Sequence, residues 1–174
     1  VKSFPESEDT PQASLQLAVT HEFNGKQKEA QQWYTRLVSS HRETPEGKKA
    51  EGALTRLDLK GRTLELTGAG LDGKPLDLGS YRGQTVAVLF WATWCVPCTD
   101  DLPKIKELYE QYHAKGFEIV GVNLDSTPAD VAPFLAQHKV TWPQIHDPGG
   151  LESPLAVRYG IATVPTMFLL DNTG

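Results

Sequence analysis

The sequence has 174 residues, 39% of them hydrophobic, and a mildly acidic formal net charge of −5. This length predicts one full domain with an appendage or two small domains, and the acidic balance excludes the basic footprint of a nucleic-acid-binding protein. Two cysteines are too few for a disulfide-stapled miniprotein or a four-cysteine zinc ribbon.

Residues 1–60 are predicted to form a helical N-terminal extension. Its first ten residues are polar and predict a flexible lead-in. Three segments with apolar residues at helical spacing follow, and Thr44-Pro45 predicts the capped start of the third. The first segment carries three such apolar residues, Leu15, Val19 and Phe23.

The first two helical segments resemble a single tetratricopeptide-type pair, but no second copy follows to build a solenoid. A unit this small can hardly bury a core alone. We therefore favour a cap packed on the following domain over an independent binding module.

Residues 61–174 change to a pattern typical of an α/β domain. In "TLELTGAG" polar and apolar residues alternate, as in a strand, and Asp72-Gly73 predicts a hairpin turn after it. The segments "TVAVLFWA" and "FEIVGVNLD" are apolar enough for strands buried on both faces. A parallel pair needs a crossover helix, and "TDDLPKIKELYEQYHAKG" supplies one. Its inward-facing residues are predicted to be Leu102, Ile105, Leu108 and Tyr112.

Two further helices and a third strand are predicted towards the C-terminus. Thr127-Pro128 starts the helix in "TPADVAPFLAQHK", Ser153 caps "ESPLAVRYG", and "TMFLLD" is the strand. "DNTG" then reads as a hairpin turn with no returning strand, so residues 61–174 are expected to be a domain truncated at its C-terminal end.

The central motif is Cys95-Val-Pro-Cys98, between a buried strand and a helix. A helix N-terminus stabilises a thiolate, and two intervening residues let the second sulfur reach the first. Cys95 is therefore predicted to be the exposed nucleophile and Cys98 the shielded resolving thiol. Pro97 suits the first helical turn, where its missing N–H costs nothing.

Two other interpretations of the cysteines are weaker. A structural disulfide gains little from closing so short a loop. A metal site would need partners, and the histidines at His113, His138 and His146 show no paired ligand spacing. A redox pair is favoured, with no metal and no cofactor beyond the dithiol itself.

"FWATWCVPC" and the later "TVPT" resemble the thioredoxin superfamily. Within it, the chain is similar to the TlpA/ResA/DsbE branch of membrane-anchored or exported thiol–disulfide oxidoreductases, over residues 64–174. The resemblance implies a thioredoxin-like α/β fold, a central mixed sheet flanked by helices, with the C-terminal hairpin strand and helix missing. The N-terminal helical extension is not part of the general family pattern.

The resemblance also implies roles for individual residues. Cys95 matches the nucleophile and Cys98 its resolving partner, while Trp94 matches the aromatic residue beside the active site. Pro165 matches a cis-proline facing the disulfide, and the backbone of Val164 would pair with the substrate chain.

Proton transfer and the remaining substrate contacts follow the same resemblance. Asp101 lies where the ResA-like branch carries a glutamate, so it is the candidate acid/base for the buried thiol of Cys98. Cytoplasmic thioredoxins carry a buried aspartate at the position of Leu89, so that route is absent here. Pro97 is assigned to the substrate-binding surface with Trp94.

The implied function is disulfide exchange with disulfide-bearing proteins and an upstream electron donor, outside the cytoplasm, in the bacterial periplasm or anchored facing it. Any membrane tether would lie outside this sequence. The absence of a histidine between the cysteines and the nearby carboxylates favour reduction over oxidation. The alternatives are a partner-binding protein on a thioredoxin-like scaffold and, less favoured, a metal-delivery protein.

Overall fold

A computed structural model describes residues 10–174, which form two compact units. The helical unit comprises the described residues up to Lys60 and also Leu155–Ala162. The α/β unit comprises Gly61–Pro154 and Thr163–Gly174. The predicted lead-in lies outside the described residues except for Thr10, which already begins a helix. Division into a domain at 1–60 and another at 61–174 stays a prediction.

Three helices build the N-terminal part of the helical unit: α1 (Thr10–Phe23), α2 (Gln27–His41) and α3 (Pro45–Leu57). The hydroxyl of Thr44 accepts a hydrogen bond from the Gly47 N–H at 3.0 Å, which confirms the predicted cap. The buried core of the three helices consists of Ala18, Ala30, Tyr34, Leu37, Ala50 and Ala53. Phe23 was expected to join it but is largely exposed, because α1 ends there and the chain turns back at Gly25.

A partly buried charge cluster joins the three helices. The Glu22 carboxylate accepts hydrogen bonds from Arg56 Nη2 at 2.9 Å and from the Tyr34 hydroxyl at 2.8 Å. Burial raises the pKa of Glu22, but the hydrogen bonds and charge of Arg56 and the Tyr34 hydroxyl outweigh burial and hold it below its usual value. The helical unit therefore depends on an ionised Glu22.

Acid is expected to weaken the helical unit through this carboxyl. A carboxyl with a lowered folded pKa contributes stability above its unfolded pKa, and that stability is lost as pH falls through the folded value. Glu22→Gln should lower the free energy of unfolding at pH 7 by about 1–3 kcal/mol, because Arg56 loses its charged partner. The difference between variant and wild type should shrink below about pH 4.

Urea unfolding followed by far-ultraviolet circular dichroism at pH 7 and pH 3 measures this difference. Glu51→Gln is the matched control, since the ion pair of Glu51 with Arg42 is exposed and should contribute little. Equal losses in the two variants, or a loss that does not depend on pH, would contradict the assignment.

The α/β unit contains a hairpin and a four-stranded mixed sheet. The hairpin pairs β1 (Thr67–Ala69) with β2 (Pro75–Asp77), and Asp72-Gly73 lies in the turn as predicted. The sheet has the order β5-β4-β3-β6, in which β3, β4 and β5 are parallel and β6 is antiparallel to β3. Its strands are β3 (Thr85–Trp91), β4 (Phe117–Asn123), β5 (Gln144–His146) and β6 (Thr166–Leu170).

Two helices follow strands of this sheet within the α/β unit: α4 (Val96–Tyr112) and α5 (Val131–His138). A third, α6 (Pro154–Arg158), follows β5 along the chain but belongs to the helical unit from Leu155 onward. Helix α4 is the predicted crossover between β3 and β4, whose residues are almost all buried. No helix among residues 10–174 combines the length and the apolar character needed to cross a membrane.

Some predicted details of these elements are wrong. Leu108 and Tyr112 are exposed, and Tyr109 packs on the core instead, because the buried face of α4 continues from Leu102 through Ile105 to position 109. Helix α5 begins at Val131 rather than at Thr127-Pro128, since residues 128–131 form a separate turn. The short strand β5 was not predicted.

Candidate functional site

The two cysteines form a disulfide at the N-terminus of α4. Cys95 is the N-cap residue of this helix, and its sulfur accepts a hydrogen bond from the Cys98 N–H at 3.2 Å. The Cα atoms are 5.3 Å apart. Once the bond is reduced, the first-turn N–H groups and the positive end of the helix dipole would favour a thiolate on Cys95.

The predicted contrast in exposure between the two cysteines is wrong for the disulfide form. Cys95 is 4% exposed and Cys98 is 5% exposed, because both residues pack in one core cluster. Their neighbours in sequence are exposed, Trp94 to 56% and Val96 to 68%. These two side chains therefore frame the surface from which a partner would reach the disulfide.

An apolar cavity lies behind Cys98. Residues from β3, α4, α5, β5, the connection between α5 and β5, and the position before β6 line it: Leu89, Trp91, Cys98, Leu102, Ile105, Phe134, Leu135, Val140, Trp142, Gln144 and Pro165. Trp91 and Trp142 in its wall are both buried. None of the lining residues carries a carboxylate. Leu89, which the resemblance aligns with the buried aspartate of cytoplasmic thioredoxins, is one of the apolar residues in the wall.

Gln144 is the polar side chain in the cavity wall. Its carboxamide oxygen accepts a hydrogen bond from the Trp91 indole N–H at 2.9 Å. A Cβ atom at Gly121 would lie only 2.6 Å from the carboxamide carbon, so the glycine leaves the space that this side chain needs. The indole N–H and the carboxamide oxygen thus satisfy each other's hydrogen-bonding capacity where water does not reach them.

The structure brings four of the predicted site residues together. Val164 packs against the core cluster that contains Cys95 and Cys98, and Pro165 lines the cavity with Cys98. The Val164–Pro165 peptide bond is cis, as the resemblance implies.

The other predicted site residues lie further out. Trp94 and Pro97 are exposed beside the disulfide. Asp101 is exposed on α4 and does not line the cavity behind Cys98, so its role as acid/base stays a prediction. Within residues 10–174, no group of three or more His, Cys, Asp or Glu residues is placed to hold a metal ion.

Asp125, a buried carboxylate beside the cysteine motif, was not predicted from the sequence. It follows β4 and accepts hydrogen bonds from the Thr93 N–H at 2.9 Å, the Thr93 hydroxyl at 2.6 Å and the Asn123 amide at 2.6 Å. Thr93 precedes Cys95 by two residues, so Asp125 fixes the backbone that leads to Cys95. It could have been found from the predicted parallel pairing of β3 and β4, because the residues that follow two such strands meet at the same edge of the sheet.

Asp125→Asn is expected to slow the disulfide exchange that the resemblance implies by about tenfold, because the amide cannot accept from all three donors and the loop at Thr93 loosens. The rate of insulin disulfide reduction measures this effect. Asp130→Asn, at an exposed carboxylate just before α5, is the control and should behave like wild type. Unchanged activity in Asp125→Asn would show that the loop is held by other contacts.

Comparison with known proteins agrees with this geometry. The Redoxin family model matches residues 45–174. The thiol-disulfide oxidoreductase ResA of Bacillus thuringiensis subsp. konkukian is 38% identical over 104 residues, which cover 60% of this chain and 58% of ResA. The chain thus spans less than two thirds of the curated relative that it matches.

Solved structures show the same fold. A thiol-disulfide oxidoreductase from Bacteroides fragilis has a TM-score of 0.58 at 29% identity, covering 64% of this chain and 83% of that one. The thioredoxin domain of a Bacteroides vulgatus thiol-disulfide oxidoreductase gives 0.58 at 28% identity, covering 64% and 79%. The predicted thioredoxin-like fold is confirmed. Because the family match extends from the first residue of α3 to residue 174, the chain belongs to the Redoxin family.

Proposed function

We propose that this protein is a thiol–disulfide oxidoreductase that exchanges disulfides with partner proteins through Cys95 and Cys98. The observation that carries the proposal is the disulfide at the start of α4, with the Cys98 N–H directed at the Cys95 sulfur. The names of the matched ResA and of the Bacteroides proteins support the same chemistry.

The reduced protein would act in two steps. The Cys95 thiolate attacks one sulfur of the partner disulfide, so that a Cys95–partner bond forms while the partner's own bond breaks and releases a partner thiolate. Cys98 then loses its proton and attacks the Cys95 sulfur, which restores the intramolecular disulfide and frees the second partner thiol. Two electrons pass to the partner, and an upstream dithiol donor must return them.

The other predicted residues would assist these steps. Trp94 and Pro97, exposed beside the disulfide, would contact the partner together with Val164 and Pro165. Asp101 is proposed as the acid/base for Cys98, acting from the exposed side of α4. Such a base is needed because the Cys98 thiol faces an apolar cavity, where a thiolate is disfavoured.

We propose that the physiological direction is reduction of partner disulfides. A strongly oxidising pair is one whose reduced thiolate form is stabilised. The side chains of Val96 and Pro97 between the cysteines offer no positive charge and no hydrogen-bond donor for this purpose. Equilibration with glutathione buffers should give a reduction potential closer to the roughly −270 mV of thioredoxin than to the roughly −120 mV of DsbA. A potential near the DsbA value would reverse the assigned direction.

We further propose that the protein acts outside the cytoplasm, in the bacterial periplasm or anchored facing it. The support is the motif resemblance to exported and membrane-anchored oxidoreductases. Protease accessibility in spheroplasts of the native bacterium tests the location. Degradation without lysis is expected, and protection until lysis would contradict it.

Catalysis of insulin reduction by dithiothreitol tests the proposed activity. Turbidity from precipitating insulin chains should begin earlier when the protein is added, because Cys95 forms mixed disulfides faster than the free reagent does. No acceleration by the correctly folded protein would favour a partner-binding role on a thioredoxin-like scaffold.

A further inference from the structure

The segment that leads to Val164 and Pro165 belongs to the helical unit. Leu155–Ala162 clusters with the N-terminal helices, and the α/β unit resumes at Thr163. Within this segment Leu155, Ala156, Tyr159 and Ile161 are all buried. Only Ala162 and Thr163 separate the buried part of the segment from Val164.

Two glycines let the backbones of α3 and this segment touch. A methyl group at Gly52 would overlap the Val157 carbonyl oxygen and lie 2.5 Å from the Gly160 nitrogen. A methyl group at Gly160 would lie 2.5 Å from the Ala53 Cα, and its φ of 57° already disfavours other residues. The separation between α3 and the segment is therefore fixed by direct backbone contact.

Arg56 adds a polar link at the same place. Its Nε donates a hydrogen bond to the Tyr159 carbonyl oxygen at 3.0 Å, while its terminal nitrogens bind the Glu22 carboxylate. The Arg56 side chain is only 16% exposed, so water competes weakly for these bonds. One guanidinium thus joins α1, α3 and the backbone that continues to Val164.

We propose that α3 anchors Leu155–Ala162 through the Gly52–Gly160 contact and the Arg56–Tyr159 hydrogen bond, and so restrains the backbone that enters the Val164–Pro165 loop. The inference rests on the proposed function, in which this loop contacts the partner chain. Arg56 and the two glycines are positioning residues, since they act through residues 159–163 and do not touch the sulfurs. The helical extension then has a task in substrate binding through α3, at whose first residue the Redoxin match also begins.

The test compares Arg56→Lys with wild type, and Arg42→Lys as a matched control. Lysine keeps a positive charge near Glu22 but has no Nε–H to hold the Tyr159 carbonyl, whereas Arg42 pairs with Glu51 at an exposed site. Hydrogen–deuterium exchange at Thr163 and Val164 should become faster in Arg56→Lys and remain unchanged in Arg42→Lys. The KM for insulin should rise about tenfold.

Alkylation of reduced Cys95 separates positioning from general loosening. Its rate should not change in Arg56→Lys, because Arg56 bonds to Glu22 and Tyr159, and the N–H groups and dipole of α4 that favour a thiolate on Cys95 stay in place. Gly52→Ala should reproduce the effects, and urea unfolding shows whether each variant is folded at the assay temperature. If Gly52→Ala does not fold, Arg56→Lys alone decides.

Unchanged exchange at Thr163 and Val164 in folded Arg56→Lys would overturn the inference. So would an unchanged KM, or a Cys95 alkylation rate that falls together with substrate binding. If wild type does not reduce insulin, the proposed function fails, and the exchange measurement still decides whether α3 holds the loop.

Discussion

Replacing Cys95 by serine is expected to abolish disulfide exchange, lowering the rate of insulin reduction by more than about a thousandfold. A serine hydroxyl is not ionised at the N-terminus of α4 and cannot form the mixed disulfide. The fold should persist, because serine can still accept the Cys98 N–H hydrogen bond that the Cys95 sulfur accepts in wild type.

The control for this variant is Thr141→Ser, at an exposed threonine outside the motif, which should retain full activity. Far-ultraviolet circular dichroism establishes that both variants are folded. Insulin reduction that survives in Cys95→Ser would move the chemistry away from this sulfur and leave the partner-binding interpretation.

Replacing Cys98 by serine is expected to stop the reaction at the mixed disulfide. Cys95 can still attack a partner, but no second thiol remains to release it. Turnover should be lost while a one-to-one covalent complex accumulates, visible on non-reducing gels and reversed by dithiothreitol. Peptide mapping should place the bond on Cys95, and applied to cell extract the same variant would identify the physiological partners.

The opposite variant is the matched control for trapping. In Cys95→Ser the remaining thiol, Cys98, lines the apolar cavity and should trap little partner protein. If Cys95→Ser traps as much as Cys98→Ser, the two sulfurs do not differ as nucleophile and resolving thiol.

Much of the α/β fold was predictable because its strands are long and buried. Strands β3 and β4 read as continuous apolar runs, and the helix between them requires them to be parallel. The direction of β6 was not predictable, since a strand after an extended turn can run either way. Strand β5 has only three residues, with polar Gln144 and His146 at its ends, which is too short a segment to show the alternation of polar and apolar residues that predicts a strand.

The candidate site was predictable where it lies in one local motif. Cys95, Cys98 and Pro97 share one strand-to-helix junction, and Pro165 was placed by resemblance. Asp125 was missed because its bonds reach Thr93 across 32 positions of sequence. The burial of Cys95 was also missed, because it depends on packing with residues distant in sequence, such as Ile119 and Trp142.

The contact between α3 and Gly160 was not predictable for a similar reason. A helix that approaches a loop over a hundred residues away needs small residues at one point of each, and isolated glycines such as Gly52 and Gly160 carry no periodic signal. The sequence predicted a cap on the following domain. The structure adds that Leu155–Ala162 belongs with the N-terminal helices.

The order in which the two reduced thiols react with limiting iodoacetamide at pH 7 tests the role of Cys95 most directly. Peptide mass mapping of the reduced wild-type protein should find the first label almost entirely on Cys95, since its sulfur caps α4 while Cys98 faces the cavity. Equal labelling of the two thiols, or labelling of Cys98 first, would contradict Cys95 as the attacking sulfur.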